Sequence, residues 1–549
     1  MGFLQILKDF ANWSTVCGVP HIANAQTTKW RIFWSAIFIC MVSMFIYELY
    51  IMTTKFLTFP VSVDTEIIFE EQQFPVVTVC NLNPYKLSKI YDNTNFNGIK
   101  VLMDNYKKAV TQSLSQSEEN YGFYERMNLS YELDQRAREA MALEVAKLDQ
   151  AFLPPALYTF DELITDCTFS GKKCSAADFT RFVDPIYGAC YSFNEDSILT
   201  YSTNRAGMKF GLKLLITVSQ EATTMVNDFL PTTSMAGARV AIHPRGVYPS
   251  LDNSGINAGV GYQTAIALTS TRTKRAKKPY GRCIDKESDT TNLYQDETYT
   301  LETCFFGCRQ RYTVAKCGCA NPRFRRTASD VWCDASKGNL DCLQSLRGDQ
   351  ASTENRNICP LTECSCNPPC LETAYFTTAS IAKFPAENYF VATDNTRGVA
   401  GSCDDQNANF SGSPQLCRDW YANNALLLQV FFETLKYESY TEVPSYGISA
   451  VLNDLGGHAG LWLGLSVISV VEVCGLILLL LMYCLSCGKL KTRPDEEDME
   501  SDERIKDVEE VKKELDYADK HDKDKYGDEI DDDEEADEAP HREEHAKEK

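Results

Sequence analysis

The chain has 549 residues, a formal charge of −22, 44% hydrophobic residues and 22 cysteines, a length that admits several packed units. Its mean hydropathy is slightly negative, which excludes a chain made mostly of intramembrane helices, and the acidic balance argues against a nucleic-acid-binding surface. The acidity is concentrated: Lys491 to Lys549 holds 27 Asp and Glu against 12 Lys and Arg, a charge of −15, which leaves −7 for the preceding 490 residues.

Residues 1–29 precede the first long apolar run, Ile32 to Met52, in which 21 residues contain one charge, Glu48. A second run, Leu461 to Cys484, has 24 residues and one charge, Glu472. At 1.5 Å rise per residue each is long enough for a hydrocarbon core of roughly 30 Å. The first run starts too far from Met1, and is too long, to read as a signal peptide. Two spans put both termini on one side. Lys29 and Arg31 at one end, and Lys489, Lys491 and Arg493 at the other, make that side cytoplasmic. The expected layout is a span at 30–53, an extracellular domain at 54–445, a second span with a pore at 446–488, and an acidic, disordered cytoplasmic tail at 489–549.

Cysteine usage agrees with that topology. Seventeen of the 22 cysteines lie between Cys80 and Cys417, as an oxidising compartment favours. The number is odd, so at least one thiol lacks an intrachain partner. Cys304-x3-Cys308, Cys317-Gly-Cys319 and Cys364-Ser-Cys366-x3-Cys370 read as disulfide staples rather than zinc knuckles, because structural zinc needs reduced thiolates. Connectivity is not readable from spacing. The sequons at Asn128 and Asn409 are expected glycosylation acceptors.

Along the loop, Phe74-Pro-Val-Val-Thr-Val-Cys80 is β-branched and predicts a strand. Tyr131 to Gln150, rich in Ala, Leu and Glu, predicts a helix closed off by Pro154-Pro155. Strand-like runs follow at Gly211 to Ser219 and Val240 to His243, and Gln429 to Tyr440 alternates apolar and polar residues as a half-buried strand. The fold class is α+β: a sheet joined to two transmembrane helices, with helical and disulfide-stapled insertions.

The second span carries the polar chemistry. Asp454, Gly457, Leu461, Gly464, Ile468 and Glu472 follow i+3/i+4 steps and share one stripe. A carboxylate among lipid tails costs roughly 2.5–3.5 kcal/mol, so Glu472 is expected to face protein or water. Copies assembled about an axis would turn Asp454 and Glu472 into acidic rings on a cation path. Between them Gly464-Leu465-Ser466 allows a locally unwound backbone whose carbonyls can replace water around an ion. Gly456, Gly460 and Gly464, four apart, also fit close helix packing.

Leu452 to Glu472 (LNDLGGHAGLWLGLSVISVVE) resembles the pore helix of the degenerin/epithelial sodium channel family, whose Gly-x-Ser filter Gly464-Leu465-Ser466 matches. The likeness runs from about residue 14 to 490. It includes Phe74 to Asn83, Ile242-His243, Gly261-Tyr-Gln-Thr264, Tyr299-Thr300, the Cys304 to Cys319 run and Val430 to Glu438. The resemblance implies a trimeric, Na⁺-selective channel blocked by amiloride, without a cofactor. Its ectodomain would divide into a finger (about 85–190), palm, β-ball, thumb (about 283–370) and knuckle loop (about 375–425). It implies the pairs Cys80–Cys190, Cys167–Cys174, Cys283–Cys370, Cys304–Cys366, Cys308–Cys364, Cys317–Cys342 and Cys319–Cys333. Cys403–Cys417 then closes an added loop and Cys359 is left over. Asn453 matches the position where bulky residues hold family channels open, and Gly460 the amiloride contact. The family's His-Gly pair before the first span is replaced by Cys17-Gly18, within Ser14-Thr-Val-Cys-Gly-Val-Pro20, where gating is expected to involve the glycine turn.

For the opening stimulus, a switch near neutral pH most readily uses histidine, and of six histidines only His243 lies well inside the ectodomain. Phe59-Pro60 stands where acid-sensing members carry a histidine pair. The chain looks more like the invertebrate FMRFamide-gated branch, which implies an extracellular RFamide-type peptide as partner, in a homotrimer or with related subunits. The alternatives are a channel of the same family opened by acid through carboxylate pairs, or one active without a stimulus. A guanidinium and a ring on such a ligand call for carboxylates and aromatics. Glu118, Glu119, Tyr121, Phe123, Tyr124 and Glu125 offer both, although an ordinary surface patch has the same composition. Arg272-Thr-Lys-Arg275 reads as an uncleaved basic surface, and Cys484 and Cys487 as palmitoylation candidates. No His-Glu-x-x-His, Gly-x-Ser-x-Gly or Walker loop is present, so no enzymatic motif accompanies the channel-like helix. A non-conducting surface receptor would not need the polar stripe.

Overall fold

A computed structural model describes residues 3–196, 200–220, 228–285, 293–346, 364–393 and 400–485. Cys359, Cys487 and the acidic tail lie outside the described residues. The chain divides into two compact units, Lys55–Gly447 and the combination of Met1–Thr54 with Ile448–Lys549.

The larger unit is built on two sheets. In one, Val76–Asn81 (VVTVCN) is buried at every residue, as a β-branched run flanked on both sides requires. It pairs antiparallel with Gly237–His243 and with Gly188–Phe193, and the register sets Cys80 opposite Cys190. Ile256–Gly259 and Phe179–Asp184 complete five strands. The other sheet has seven strands and is organised on Ala425–Pro444, twenty residues long. This strand extends the expected Gln429–Tyr440 at both ends. Its first half pairs antiparallel with Leu212–Thr217, and its second half takes Val61–Phe69 in antiparallel register from Pro444 to Lys436. Tyr262–Lys274 runs parallel beside it, with a bulge between Leu268 and Ser270, and holds Leu371–Lys383 on its other edge.

The predicted helix is present as Ser130–Lys147, and it ends before Pro154, which instead opens a short 3₁₀ turn. Leu133, Ala137, Ala140 and Met141 face inward at the 3.6-residue period. The helix it packs against, Asn97–Val110, went unread because its sequence mixes Asn, Lys and Gly with the apolar stripe Ile99, Leu102, Met103, Tyr106. One large core joins these helices to both sheets. Phe74 sits at its centre, edge-on to Phe169 and Phe432, a preferred aromatic geometry.

The crowded cysteines lie around the helix Leu301–Cys317, which starts at the Thr300–Thr303 capping box and ends on Gly318 at φ +72°. Cys304 and Cys308 share one face, one turn apart, and bond to Cys366 and Cys364. Cys317 reaches Cys342 on the helix Lys337–Ser345, and Cys319 reaches Cys333. Cys80–Cys190, Cys167–Cys174, Cys283–Cys370 and Cys403–Cys417 are also bonded. Seven of these are the pairs implied by the resemblance, and Cys403–Cys417 is the bond expected to close the added loop.

In the smaller unit an N-terminal helix Phe3–Trp13 and a short helix Val19–Ala23 precede Thr28–Leu57. That last helix has 30 residues, about 45 Å of rise. The second apolar run is interrupted at the tripeptide where the sequence allows an unwound backbone. It is two helices, Ile448–Leu463 and Val467–Leu485, separated at Gly464-Leu465-Ser466. Thr28–Leu57 and Val467–Leu485 are both long and apolar enough to cross a membrane.

Candidate functional site

The break follows from three residues. Gly464 sits at φ +63°, a left-handed conformation that glycine adopts without a Cβ penalty, and its N–H donates to Gly460 O at 3.0 Å, the αL helix stop. Leu465 N–H folds back to Ala459 O at 3.1 Å. Ser466 then caps the next helix: its Oγ accepts from Ser469 N–H at 3.3 Å, while Ser469 Oγ accepts from Ser466 N–H at 3.2 Å. This exchange is the serine form of a capping box.

The N-terminal segment is wedged against that break. Cys17 N–H donates to Leu463 O at 3.1 Å, satisfying a carbonyl that the end of the helix leaves without an intrahelical donor. A Cβ added at Gly464 would lie 3.0 Å from Cys17 Cβ and still closer to its sulfur, so glycine is required here for space as well as for backbone conformation. Two residues earlier, Thr15 Oγ1 meets Ser469 Oγ at 2.6 Å, and both Thr15 N–H and its hydroxyl donate to Glu472 Oε2 at 3.0 Å. Ser469 is fully buried. Gly18, at φ +93°, makes the turn that returns the chain, and its absent Cβ would fall 3.0 Å from the Phe38 ring. His21 stacks on Trp34 with ring centroids 4.7 Å apart. Below the break the N-terminal helix and Val467–Leu485 enclose a cavity of about 470 Å³ lined by Phe10, Trp13, Ile468 and Glu472.

The expected single stripe needs correction. A continuous helix would carry Asp454, Gly457, Leu461, Gly464, Ile468 and Glu472 on one face, but the left-handed turn at Gly464 resets the 100° phase. Asn453, Gly457, Gly460 and Leu461 share an exposed stripe on the first half, with Asp454 half-buried at its margin. On the second half Ile468 is exposed and Glu472 turns to Thr15. Sequence reasoning missed Thr15 and Ser469. The spacing Ser466-x-x-Ser469 is a readable cap signal, whereas nothing local marks Thr15.

The acidic–aromatic cluster is also corrected. Tyr121 and Phe123 are core residues, 6% and 0% exposed, and their rings meet at a tilt within the helical insertion. Glu119 folds onto the backbone N–H groups of Gly122, Phe123 and Tyr124. Glu118 pairs with Lys108 at 2.9 Å and Glu125 with Lys337. Only Tyr124 keeps an exposed ring. The residues form a folded turn, with no cleft between aromatics and free carboxylates.

Of the titratable groups in the larger unit with displaced pKa values, His243 and Glu195 bear on opening by acid. His243 is buried, its Nε2 2.9 Å from Thr78 Oγ1 and its Nδ1 3.0 Å from Pro244 O, and burial lowers it to about 4. Glu195 accepts from Gly246 N–H at 2.9 Å. Desolvation, with Glu297 adding repulsion, raises it to about 7. The basic run Arg272 to Arg275 is strand end: Arg272 pairs with Glu70 at 3.1 Å and lies over Tyr437, and Arg275 pairs with Glu372 at 2.7 Å. Asn128 and Asn409 are exposed. Among the described residues no three His, Cys, Asp or Glu side chains are grouped to hold a metal ion.

Comparison with known proteins places this geometry. The family model described as amiloride-sensitive sodium channel matches residues 10–476. The degenerin-like protein asic-2 of Caenorhabditis elegans is 53% identical over 519 residues, 94% of each chain. Degenerin deg-1 of the same organism is 32% identical over 384 residues, and degenerin del-1 is 31% identical over 353 residues. The chain spans 46% and 49% of the lengths of those two. With the family match covering the first apolar helix, the disulfide-bonded unit, the Gly464 break and the first part of the second apolar helix, the chain belongs to the amiloride-sensitive sodium channel family, a family of channels and not of enzymes.

Proposed function

We propose that the protein is a plasma-membrane sodium channel, with both termini cytoplasmic and the disulfide-bonded unit outside, opened by an extracellular ligand. Three copies meet along the exposed Asn453–Gly457–Gly460–Leu461 stripe. Gly464-Leu465-Ser466 forms the filter, where non-helical backbone presents carbonyls to a partly dehydrated Na⁺. Asp454 supplies negative charge above it and Glu472 below, oriented by Thr15. Asn453 is the position at which bulk holds the path open, and Gly460 the amiloride contact. The observation that carries the reading is the break at Gly464, capped on one side by Ser466 and braced by Cys17 and Thr15. A helix meant only to anchor a receptor gains nothing from such a break.

The ligand class is an RFamide-type peptide, supported by the sequence resemblance; with Tyr121 and Phe123 in the core, the contact surface lies elsewhere. A second reading, opening by acid, draws on Glu195, whose carboxyl titrates near neutral pH. His243 does not support it, because burial keeps that ring neutral down to about pH 4. Oocytes expressing the chain alone, exposed to RFamide peptides and then to acid, separate the two: amiloride-sensitive Na⁺ current to peptide supports the first, and current to acid alone the second. Silence under both overturns the channel assignment for the lone chain.

A further inference from the structure

We infer that the larger unit carries a binding pocket for a small organic anion, a carboxylate on an apolar body, at the seam between the helix Ser130–Lys147 and the strand Gly237–His243. The cavity measures about 250 Å³, and its polar wall holds three guanidiniums, from Arg138, Arg239 and Arg323, against the single carboxylate of Asp252. Met141 and Leu230 contribute to its apolar surface.

The three arginines are incompletely neutralised. Arg239 donates from Nε to Leu251 O at 2.8 Å, from Nη1 to Asn257 Oδ1 at 2.9 Å and from Nη2 to Asp252 O at 3.1 Å. All three acceptors are neutral, so the group is held rigidly while its charge stays uncompensated by a direct ion pair. Arg323 reaches Asp252 Oδ2 at 3.4 Å, and its Nε is buried with no acceptor. A buried donor without a partner is unfavourable, and a ligand oxygen would relieve it. Asp252 is already engaged on its other oxygen by the Tyr187 hydroxyl at 3.0 Å. Arg138, on the helix, makes no hydrogen bond or ion pair among the described residues. A rigid guanidinium, a buried orphan N–H and a free guanidinium around an apolar floor form a receptor for a planar anion with a hydrocarbon tail. A cation would meet an excess of positive charge. Occupancy ties Arg138 on the helix to Arg239 on the sheet and to Arg323 after the disulfide-bonded helix, so a ligand here couples three parts of the unit.

The test uses the full chain in lipid nanodiscs, with empty nanodiscs as the partitioning control, and 4-phenylbutyrate as probe in isothermal titration. Saturable binding of one probe per chain, absence of binding by 4-phenylbutylamine, and at least a fivefold loss of affinity in Arg138→Gln are expected. Arg138 makes no hydrogen bond or ion pair among the described residues, so that variant should keep the melting temperature of the parent. Arg323→Gln provides an independent reading and should also weaken binding at least fivefold. No saturable binding, equal binding of the amine, or unchanged affinity in both variants would overturn the proposal. Inorganic phosphate displacing the probe at equal concentration would overturn its apolar half.

Discussion

Gly464→Ala tests the contact between the N-terminal segment and the break. Two costs can be separated. A side chain at φ +63° carries about 1–2 kcal/mol of left-handed strain. The added methyl also lies 3.0 Å from Cys17 Cβ and overlaps its sulfur, an overpacking worth about 1–3 kcal/mol. Cys17→Gly removes both opposing atoms and leaves the strain untouched. In a double-mutant cycle the strain cancels and the coupling reports the overlap alone, about 1–3 kcal/mol in favour of the double variant. The assay is the temperature at which half of the detergent-purified protein leaves its monodisperse chromatographic peak, with current density in oocytes measured alongside. Gly464→Ala should lower both, and Gly464→Ala/Cys17→Gly should lose less than the sum of the two single-variant losses. Strictly additive losses, or a Gly464→Ala protein as stable as the parent, would show that Cys17 does not rest on the break.

The pH dependence of stability has a definite sign at His243. Its folded pKa is lowered to about 4 from 6.5, so between those values the unfolded chain binds a proton that the native state refuses. The stabilisation is complete above pH 6.5 and is lost as pH falls toward 4, by about 3 kcal/mol in all. His243→Gln should flatten this part of a melting-versus-pH profile, and a parallel profile would refute the assignment. Phe123→Ala should cost about 3–5 kcal/mol as a core truncation and reduce surface expression, while Tyr124→Ala should be close to neutral. Equal expression of the two would return Phe123 to the surface. Replacing Cys403 and Cys417 by Ser opens a link of sequence separation 14, a loss of about 3 kcal/mol that should appear as earlier proteolysis of the non-reduced protein. Identical proteolysis of both proteins would count against that bond stabilising its loop.

The legible parts of this chain were those written in local pattern. The apolar runs, the β-branched Val76–Asn81, the Ala- and Leu-rich helix at Ser130–Lys147 and the glycine at position 464 each state their backbone preference within a few residues. The stripe through Asp454 and Glu472 misled because helical phase was carried across a residue whose left-handed turn cancels it. Tyr121 and Phe123 misled for a related reason. Aromatics beside glutamates have the composition of a binding patch, and only burial shows that Glu119 is spent on backbone N–H groups while the rings fill a core. Thr15 lay inside the segment Ser14–Pro20 but nothing marked its contacts: its partners, Ser469 and Glu472, lie more than 450 residues away.

By itself the amino-acid order determined where the chain can enter a bilayer, which compartment its cysteines suit, and that one apolar run contains a glycine–serine interruption. These are properties of composition and of neighbours a few bonds apart, and they survive without any fold. Tertiary structure decided what occupies the interruption, which carboxylates stay free, and where three arginines converge around one aspartate. Those outcomes depend on distances between segments remote in sequence, set by packing and by the need of each buried polar group for a partner.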